Sequence, residues 1–362
     1  MQIYTMFLSF IFMTCFVGQP FTHLPKNKLY EGKAALIPAD KQAQSSLLQS
    51  EDGGRTWGDL ASLPENIEIT RIFAQNGEVF LAAPKGQVYH NSNPKTGEWQ
   101  KEEFLGEVSG FFKGKSGTYV SIYEGGFFKK TPNTSYWQAM HTNLKDKEIN
   151  SMVENEAGIL FVACPSGIYK SADEGKTWKH VFDKSWATSL TVAHNILIGN
   201  AEQGLMRSTD EGEHWECVLN DVGGVYRTKV VKGGFAAIRV AGQWHTPADN
   251  NPMRTSLSAD GGQTWLRIDE GQFFGCGAKQ EWASLTAKNW FCEDKSAFFD
   301  YRIYDLEESG PYLFCSHKGG ISRSSNGGKN WEHLYAAPKA VRFNLVVSGQ
   351  TLFAVAMPDY GC

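Results

Sequence analysis

The sequence predicts an all-β fold: a seven-bladed β-propeller of four-stranded antiparallel blades, its ring closed by N- and C-terminal strands that share one blade. Three observations carry the prediction. A pattern close to S-x-D-x-G-x-T-W recurs along the chain, short alternating apolar runs flank its copies, and each end of the chain holds half of a unit.

Three copies of the pattern are complete: Ser50-Glu51-Asp52-Gly53-Gly54-Arg55-Thr56-Trp57, SADEGKTW ending at Trp178, and SADGGQTW ending at Trp265. STDEGEHW, ending at Trp215, has His214 in place of Thr. SSNGGKNW, ending at Trp331, has Asn326 in place of Asp and Asn330 in place of Thr. NSNPKTGEW and KTPNTSYW, ending at Trp99 and Trp137, keep mainly the turn-forming residues and the terminal Trp. Successive Trp residues lie 42, 38, 41, 37, 50 and 66 positions apart. A propeller blade takes about 40–45 residues, so the last two intervals predict blades that carry insertions.

One interval shows the strands. Between Ile149 and Phe182, INSMVE, ILFVA, GIYKS and TWKHVF read as four strands, with DEGKT as the turn before the last. Gly and Asx residues punctuate alternating runs, as antiparallel hairpins require. After Trp331 only VRFNLVV and TLFAVA remain, without a box. Before Trp57 only SSLLQSEDGGRTW is available. Together these ends make one blade, which leaves no open sheet edge in the ring.

The repeated carboxylate invites a catalytic or calcium-binding reading, but its setting predicts a structural one. In a tight hairpin, Asp accepts backbone N–H bonds, Gly supplies positive φ, and Trp buries its ring between sheets. Asp52, Asp173, Asp210, Asp260 and Asn326, with Trp57, Trp178, Trp215, Trp265 and Trp331, are therefore expected to staple their blades. Calcium loops need several oxygen ligands at alternating positions, and these segments lack them. No metal site or cofactor is expected.

Hydrophobic residues make up 41% of the 362 and charged residues 20%, enough for a packed core. A net charge of -4 gives no general attraction to nucleic acid or anionic lipid. Residues 1–20 are expected to be a signal peptide or lipoprotein signal, because Met6 to Val17 form an uncharged apolar run of h-region length. The chain is thus expected to be exported, with residues 21–45 as a lead segment and 46–362 as the propeller. Membrane attachment would come only through lipid on Cys15, although FMTC departs from the usual lipobox. Of seven cysteines, Cys164, Cys217 and Cys315 fall in strand-like runs as small hydrophobes. Cys276 and Cys292 share one insertion and are the candidate disulfide.

The boxes resemble those of the bacterial neuraminidase (BNR) repeat superfamily. That group includes sialidases, two-domain xyloglucan hydrolases, sortilin-type receptors and photosystem II assembly-factor propellers. The resemblance spans nearly the whole predicted propeller and implies architecture; function differs across the group. A sialidase-like activity would imply a Phe/Tyr-Arg-Ile-Pro motif near the N-terminus. The nearest string, Tyr301-Arg302-Ile303-Tyr304, lies late in the chain and lacks the proline. A glycosidase also needs two facing carboxylates. Glu124, Glu202, Asp249 and Glu281 lie in loops, and nothing in the sequence pairs any two.

Box turns occupy one face of the ring. Connections between second and third strands, and between blades, must emerge on the other, where a ligand site is expected. Trp186, Trp244, Trp282 and Trp290 lie in such connections. Trp244, His245 and Arg254 belong to an insertion in the sixth blade, and Glu281 and Trp282 to the long insertion after it. Tyr226, Arg227, Arg302 and Arg342 begin or precede innermost strands, where a basic rim suits a carboxylate. These ten residues — the four arginines, three tryptophans, Tyr226, His245 and Glu281 — are the ligand-binding candidates. The expected partner is a glycan or a protein. The alternatives are a sialidase-like glycoside hydrolase and an assembly-factor-like scaffold.

Overall fold

A computed structural model describes residues 30–31, 47–60, 63, 67–75, 77–93, 98–132, 134, 136–140, 143–242, 255–268, 303–338 and 341–358. They form seven antiparallel sheets around a central channel. Blades are numbered here by their box Trp in chain order, and each is given from its innermost to its outermost strand. Blade 2 runs from Arg71–Gln75 to Gln100–Glu103, blade 3 from Val108–Gly114 to Gln138–Ala139, and blade 4 from Ser151–Glu154 to Lys179–Phe182. Blade 5 runs from Ala187–Ala193 to Glu216–Asn220, blade 6 from Gly224–Val231 to Leu266–Arg267, and blade 7 from Ile303–Ser309 to Glu332–Ala336.

Blade 1 joins the two ends of the chain. Val341–Ser348 and Thr351–Pro358 supply its inner strands, while Leu47–Ser50 and Thr56–Asp59 supply the outer ones. Leu47 to Ser50 pair antiparallel with Val355 to Leu352, so strands about 300 residues apart in sequence close the ring by hydrogen bonds. A two-residue strand, Tyr30–Glu31, pairs outside Thr56–Asp59 and makes this a five-stranded sheet. The sequence placed it in the lead segment, because two residues are too short to show a period.

The box turns have the expected local chemistry. Asp52 accepts from the Thr56 N–H at 2.9 Å and from the Thr56 hydroxyl at 2.7 Å, while Ser50 Oγ accepts from the Gly54 N–H at 2.9 Å. Asp173, Asp210 and Asp260 repeat these bonds, with His214 replacing the threonine beside Asp210. Gly54 and Gly175 sit at φ 82° and 87°, a region that a side chain would strain. The Trp57 indole N–H closes the turn onto the Gly54 carbonyl at 2.9 Å, and the ring is 1% exposed.

Four of the five boxes, those of blades 4, 5, 6 and 1, also receive a cation from the preceding blade, a feature the sequence reading missed. Lys129 and Lys170 reach Glu174 and Glu211 in the next blade's box, each at 2.8 Å. Arg207 and Arg323 reach the carbonyls of Gly261 and Gly53 at 2.7 and 2.5 Å. Three of these cations immediately precede the box serine, in Lys170-Ser171, Arg207-Ser208 and Arg323-Ser324, so the signal was present in the repeat. Between blades 2 and 3, whose boxes are degenerate, an ion cluster takes this role. His90 contacts Glu78 at 3.0 Å and Glu102 at 3.6 Å. Lys130 and the Trp137 indole then meet Glu102 at 2.6 and 2.8 Å.

The core lies between adjacent sheets as a ring of apolar clusters, among them Trp57 with Phe314 and Phe343, and Phe161 with Leu190 and Leu197. Cys164 and Cys315 are buried in it as expected, but Cys217 is exposed. Its strand, Glu216–Asn220, is the outermost of blade 5, where one side of the strand meets solvent. Cys15, Cys276 and Cys292 lie outside the described residues.

Candidate ligand site at the channel mouth

The innermost strands line the channel, and ladder register decides what faces what. Four residues before the pair that closes the inner turn, blades 2, 3, 5, 6, 7 and 1 place Arg71, Gly110, Ser189, Arg227, Asp305 and Asn344. Two residues further along, the same strands place Phe73, Phe112, Thr191, Lys229, Glu307 and Val346. Side chains two apart share a sheet face, so the channel has unlike walls. Apart from Arg71 and Lys113, blades 2 to 4 contribute aromatic, small and neutral polar side chains to the cavity, and blades 6 and 7 contribute charges.

A cavity of about 420 Å³ occupies this channel, bounded by Phe73 and Phe112 on one side and by Arg227, Lys229 and Asp305 on the other. The charged wall is internally satisfied. Asp305, 4% exposed, contacts Lys229 at 2.7 Å and Arg227 at 3.4 Å, and it accepts the backbone N–H groups of Leu306 and Leu345 at 3.0 and 2.9 Å. Lys229 also bonds Glu307. Burial works against charge on Asp305, but Lys229 and Arg227 outweigh it and hold its carboxyl below the ordinary value. Glu307 moves the other way: burial and Asp305 raise it more than Lys229 lowers it. Burial opposes the Lys229 charge too, yet the two carboxylates prevail and raise its pKa.

The arginines are differently placed. Arg71 lines the cavity, is exposed to it, and makes no hydrogen bond or ion pair among the described residues. Burial lowers its pKa, Glu107 pulls it back up, and the positive charge of Arg227 lowers it further. Arg227 is 45% exposed, and its two polar contacts, to Asp305 and to the Tyr304 carbonyl at 3.5 Å, are long. Two guanidiniums thus act on each other across the cavity. Such a pair favours an anion between them.

The expected site residues divide. Arg227 lines the cavity. Arg342 is exposed, its guanidinium 6.0 Å from the Tyr304 ring. Tyr226 is buried among Leu205 and Ala237, its hydroxyl 2.8 Å from Asp221, and it does not line the cavity. Its strand position alternates with that of Arg227, so the two cannot face the same way. Trp186 is half-buried in the connection between blades 4 and 5 and lies outside the cavity wall. Glu124 and Glu202 are exposed in connections between second and third strands. Trp244, His245, Asp249, Arg254, Glu281, Trp282, Trp290 and Arg302 lie outside the described residues. Sequence reasoning missed Arg71, Asp305, Glu307 and Lys229. Arg71 opens the strand RIFAQ much as Arg227 sits early in GVYRTKVV, and counting back from each inner turn would have found it.

No protein-family model matches the chain, and no curated protein matches it. Solved structures do. YCF48 bound to D1 peptide is similar over 90% of this chain and 99% of that chain, with 12% identity and a TM-score of 0.51. The GH74 enzyme of Niastella koreensis is similar over 73% of this chain but 44% of that chain, with 13% identity and a TM-score of 0.52. The computationally designed Ika8 protein is similar over 80% of each chain, with 12% identity and a TM-score of 0.50. Identities this low speak for the fold alone, and the fold they support is the β-propeller.

Proposed function

We propose that this chain is an exported recognition propeller that binds a glycan or protein ligand through an acidic group at the channel mouth. The observation that carries the reading is the contrast inside one cavity. Arg71 and Arg227 offer guanidinium donors to the open channel, whereas the carboxylates there are engaged by Lys229 and backbone N–H groups. Export rests on the apolar run from Met6 to Val17. Kinship with BNR-repeat propellers rests on the Ser-Asp-Gly-Thr-Trp boxes and their hydrogen bonds. The similarity to YCF48 bound to D1 peptide favours a protein ligand as one of the two classes.

A second reading has its own support. Asp305 and Glu307 share Lys229 and are shifted in opposite directions, the pattern of a base and an acid in a hydrolase. Against it stands the coordination of Asp305, whose oxygens already accept two backbone N–H bonds and an ammonium. Screening the full chain on immobilised acidic glycans, neutral glycans and free-C-terminal peptides, with released product assayed on every hit, separates the readings. Binding without turnover is expected, and turnover would favour the hydrolase.

A further inference from the structure

The rim of the channel opposite the box turns is divided by charge. Its basic arc spans blades 6, 7, 1 and 2: Arg227, Arg342 and Arg71 stand in the innermost strands of blades 6, 1 and 2, and the carboxylate that blade 7 places between them, Asp305, is held by Lys229. Its acidic arc holds Glu107 between blades 2 and 3, Glu124 in blade 3, and Asp146 with Glu148 between blades 3 and 4. Glu148 is next to Ile149, which lines the cavity. Burial raises the Glu148 carboxyl, and Glu124 and Asp146 raise it further, so these three acids sense one another. Lys145 and Lys147 in the same loop, and Lys85 in the turn that receives the Phe104 N–H, are exposed as well, so this arc sets four acids against three lysines.

An apolar step lies on this acidic side of the rim. Leu105 is fully exposed at 103%, and Tyr123 is 42% exposed. Neither belongs to a loose loop. Phe104, one residue before, packs on Trp137 with ring centroids 5.2 Å apart and donates its N–H to the Gly86 carbonyl at 2.9 Å. Gly106 folds back onto the Phe104 carbonyl at 3.0 Å, and Tyr123 donates its N–H to the Glu107 carbonyl at 2.8 Å. A leucine held outward by an anchored turn, beside a tyrosine fixed to the same turn, is pre-organised contact surface. Glu107 directly precedes Val108–Gly114, the innermost strand of blade 3, so the step adjoins the channel mouth.

We propose that the ligand is an extended peptide segment lying across this rim. Its apolar side chain rests on Leu105 and Tyr123, a basic side chain points toward Glu124 and Glu148, and its acid group reaches Arg71 and Arg227. The proposal rests on the recognition reading above and narrows the ligand from glycan or protein to peptide. Charge pattern is the reason. An acidic glycan is attracted by the basic arc but repelled by the acidic one, and a neutral glycan uses neither. A peptide alone among these supplies both signs and an apolar group within a few residues.

The test is a positional-scanning library of free-C-terminal hexapeptides, bound to the full chain, followed by titration of the best sequence and of hexaglutamate as an acid-only probe. The library is expected to select a basic and a large apolar residue upstream of an acidic end. Leu105→Ser with Tyr123→Ser is expected to weaken the selected peptide about tenfold. Glu124→Gln with Glu148→Gln should weaken it about fivefold, both without lowering the melting temperature or the hexaglutamate affinity. Selection of sequences lacking a basic residue, or unchanged affinity in both double variants, overturns the peptide assignment. Loss of neither probe in Arg71→Ala with Arg227→Ala would instead overturn the recognition reading beneath it.

Discussion

At the residue scale the box is a stability device, and single changes should show it. Trp57→Ala removes a ring that is 1% exposed together with its bond to the Gly54 carbonyl, and is expected to cost roughly 3–5 kcal/mol in urea denaturation. Asp52→Ala removes an acceptor for Thr56 and should cost about 1 kcal/mol, as loss of a capping side chain does. Histidines set the pH optimum from both sides. His90 is held up at about 9 by the carboxylates of Glu102 and Glu78 beside it, which outweigh burial. Its folded pKa lies above the ordinary 6.5, so its contribution is complete below 6.5 and fades as pH rises through 9. His317 is lowered to about 3 by burial and then by His333, so its contribution is complete above 6.5 and fades toward 3. Melting temperature should therefore peak near pH 6.5. His90→Gln should flatten the alkaline limb and leave the acid limb in place, and an unchanged alkaline limb would refute the assignment. These effects were only partly legible in sequence. The box pattern announced Asp52 and Trp57, whereas His90 meets Glu78 and Glu102 through strand pairing that no local motif records.

At the scale of elements, closure and stitching are separate contributions. Thr351–Pro358 lies between Val341–Ser348 and Leu47–Ser50, so removing residues 351–362 leaves two unpaired edges in blade 1. Loss of the cooperative thermal transition is expected, and a retained sharp transition would contradict closure by these strands. Arg207→Ala unhooks blade 5 from the box of blade 6 and should cost roughly 1.5–3 kcal/mol, as a hydrogen bond from a charged donor does. The strands themselves were readable because each alternates between two packed faces and ends at Gly or Asx. The hooks between blades were harder to see. A cation before the box serine looks like ordinary surface charge until the next blade's turn is set beside it.

At the scale of the whole molecule, the ring brings together residues that the sequence keeps far apart. Arg71 and Arg227 are separated by more than 150 positions, yet each lies four residues before the inner turn of an innermost strand and lines the same cavity. The sequence offered Arg227 as a candidate from its place in a predicted strand. It could not offer the pairing with Arg71, because the distance around a closed ring depends on how many blades separate two strands. Nor could it show that Lys229 engages both channel carboxylates, a fact that turns on one side chain reaching across from blade 6 to blade 7. The same closure explains why the basic residues gather, since Arg342 in the C-terminal strands of blade 1 and Arg71 in blade 2 lie on adjacent blades only once the ends have met.

Isothermal titration of the tightest-binding acidic ligand from the glycan and peptide screen, into the wild-type chain and into Arg71→Ala with Arg227→Ala, tests the central claim most directly. The account predicts affinity at least about tenfold weaker in the variant, at least about 1.4 kcal/mol, with the melting temperature preserved and no product formed by either protein. Equal affinity in the two proteins, or turnover of the ligand that Glu307→Gln abolishes, would contradict it.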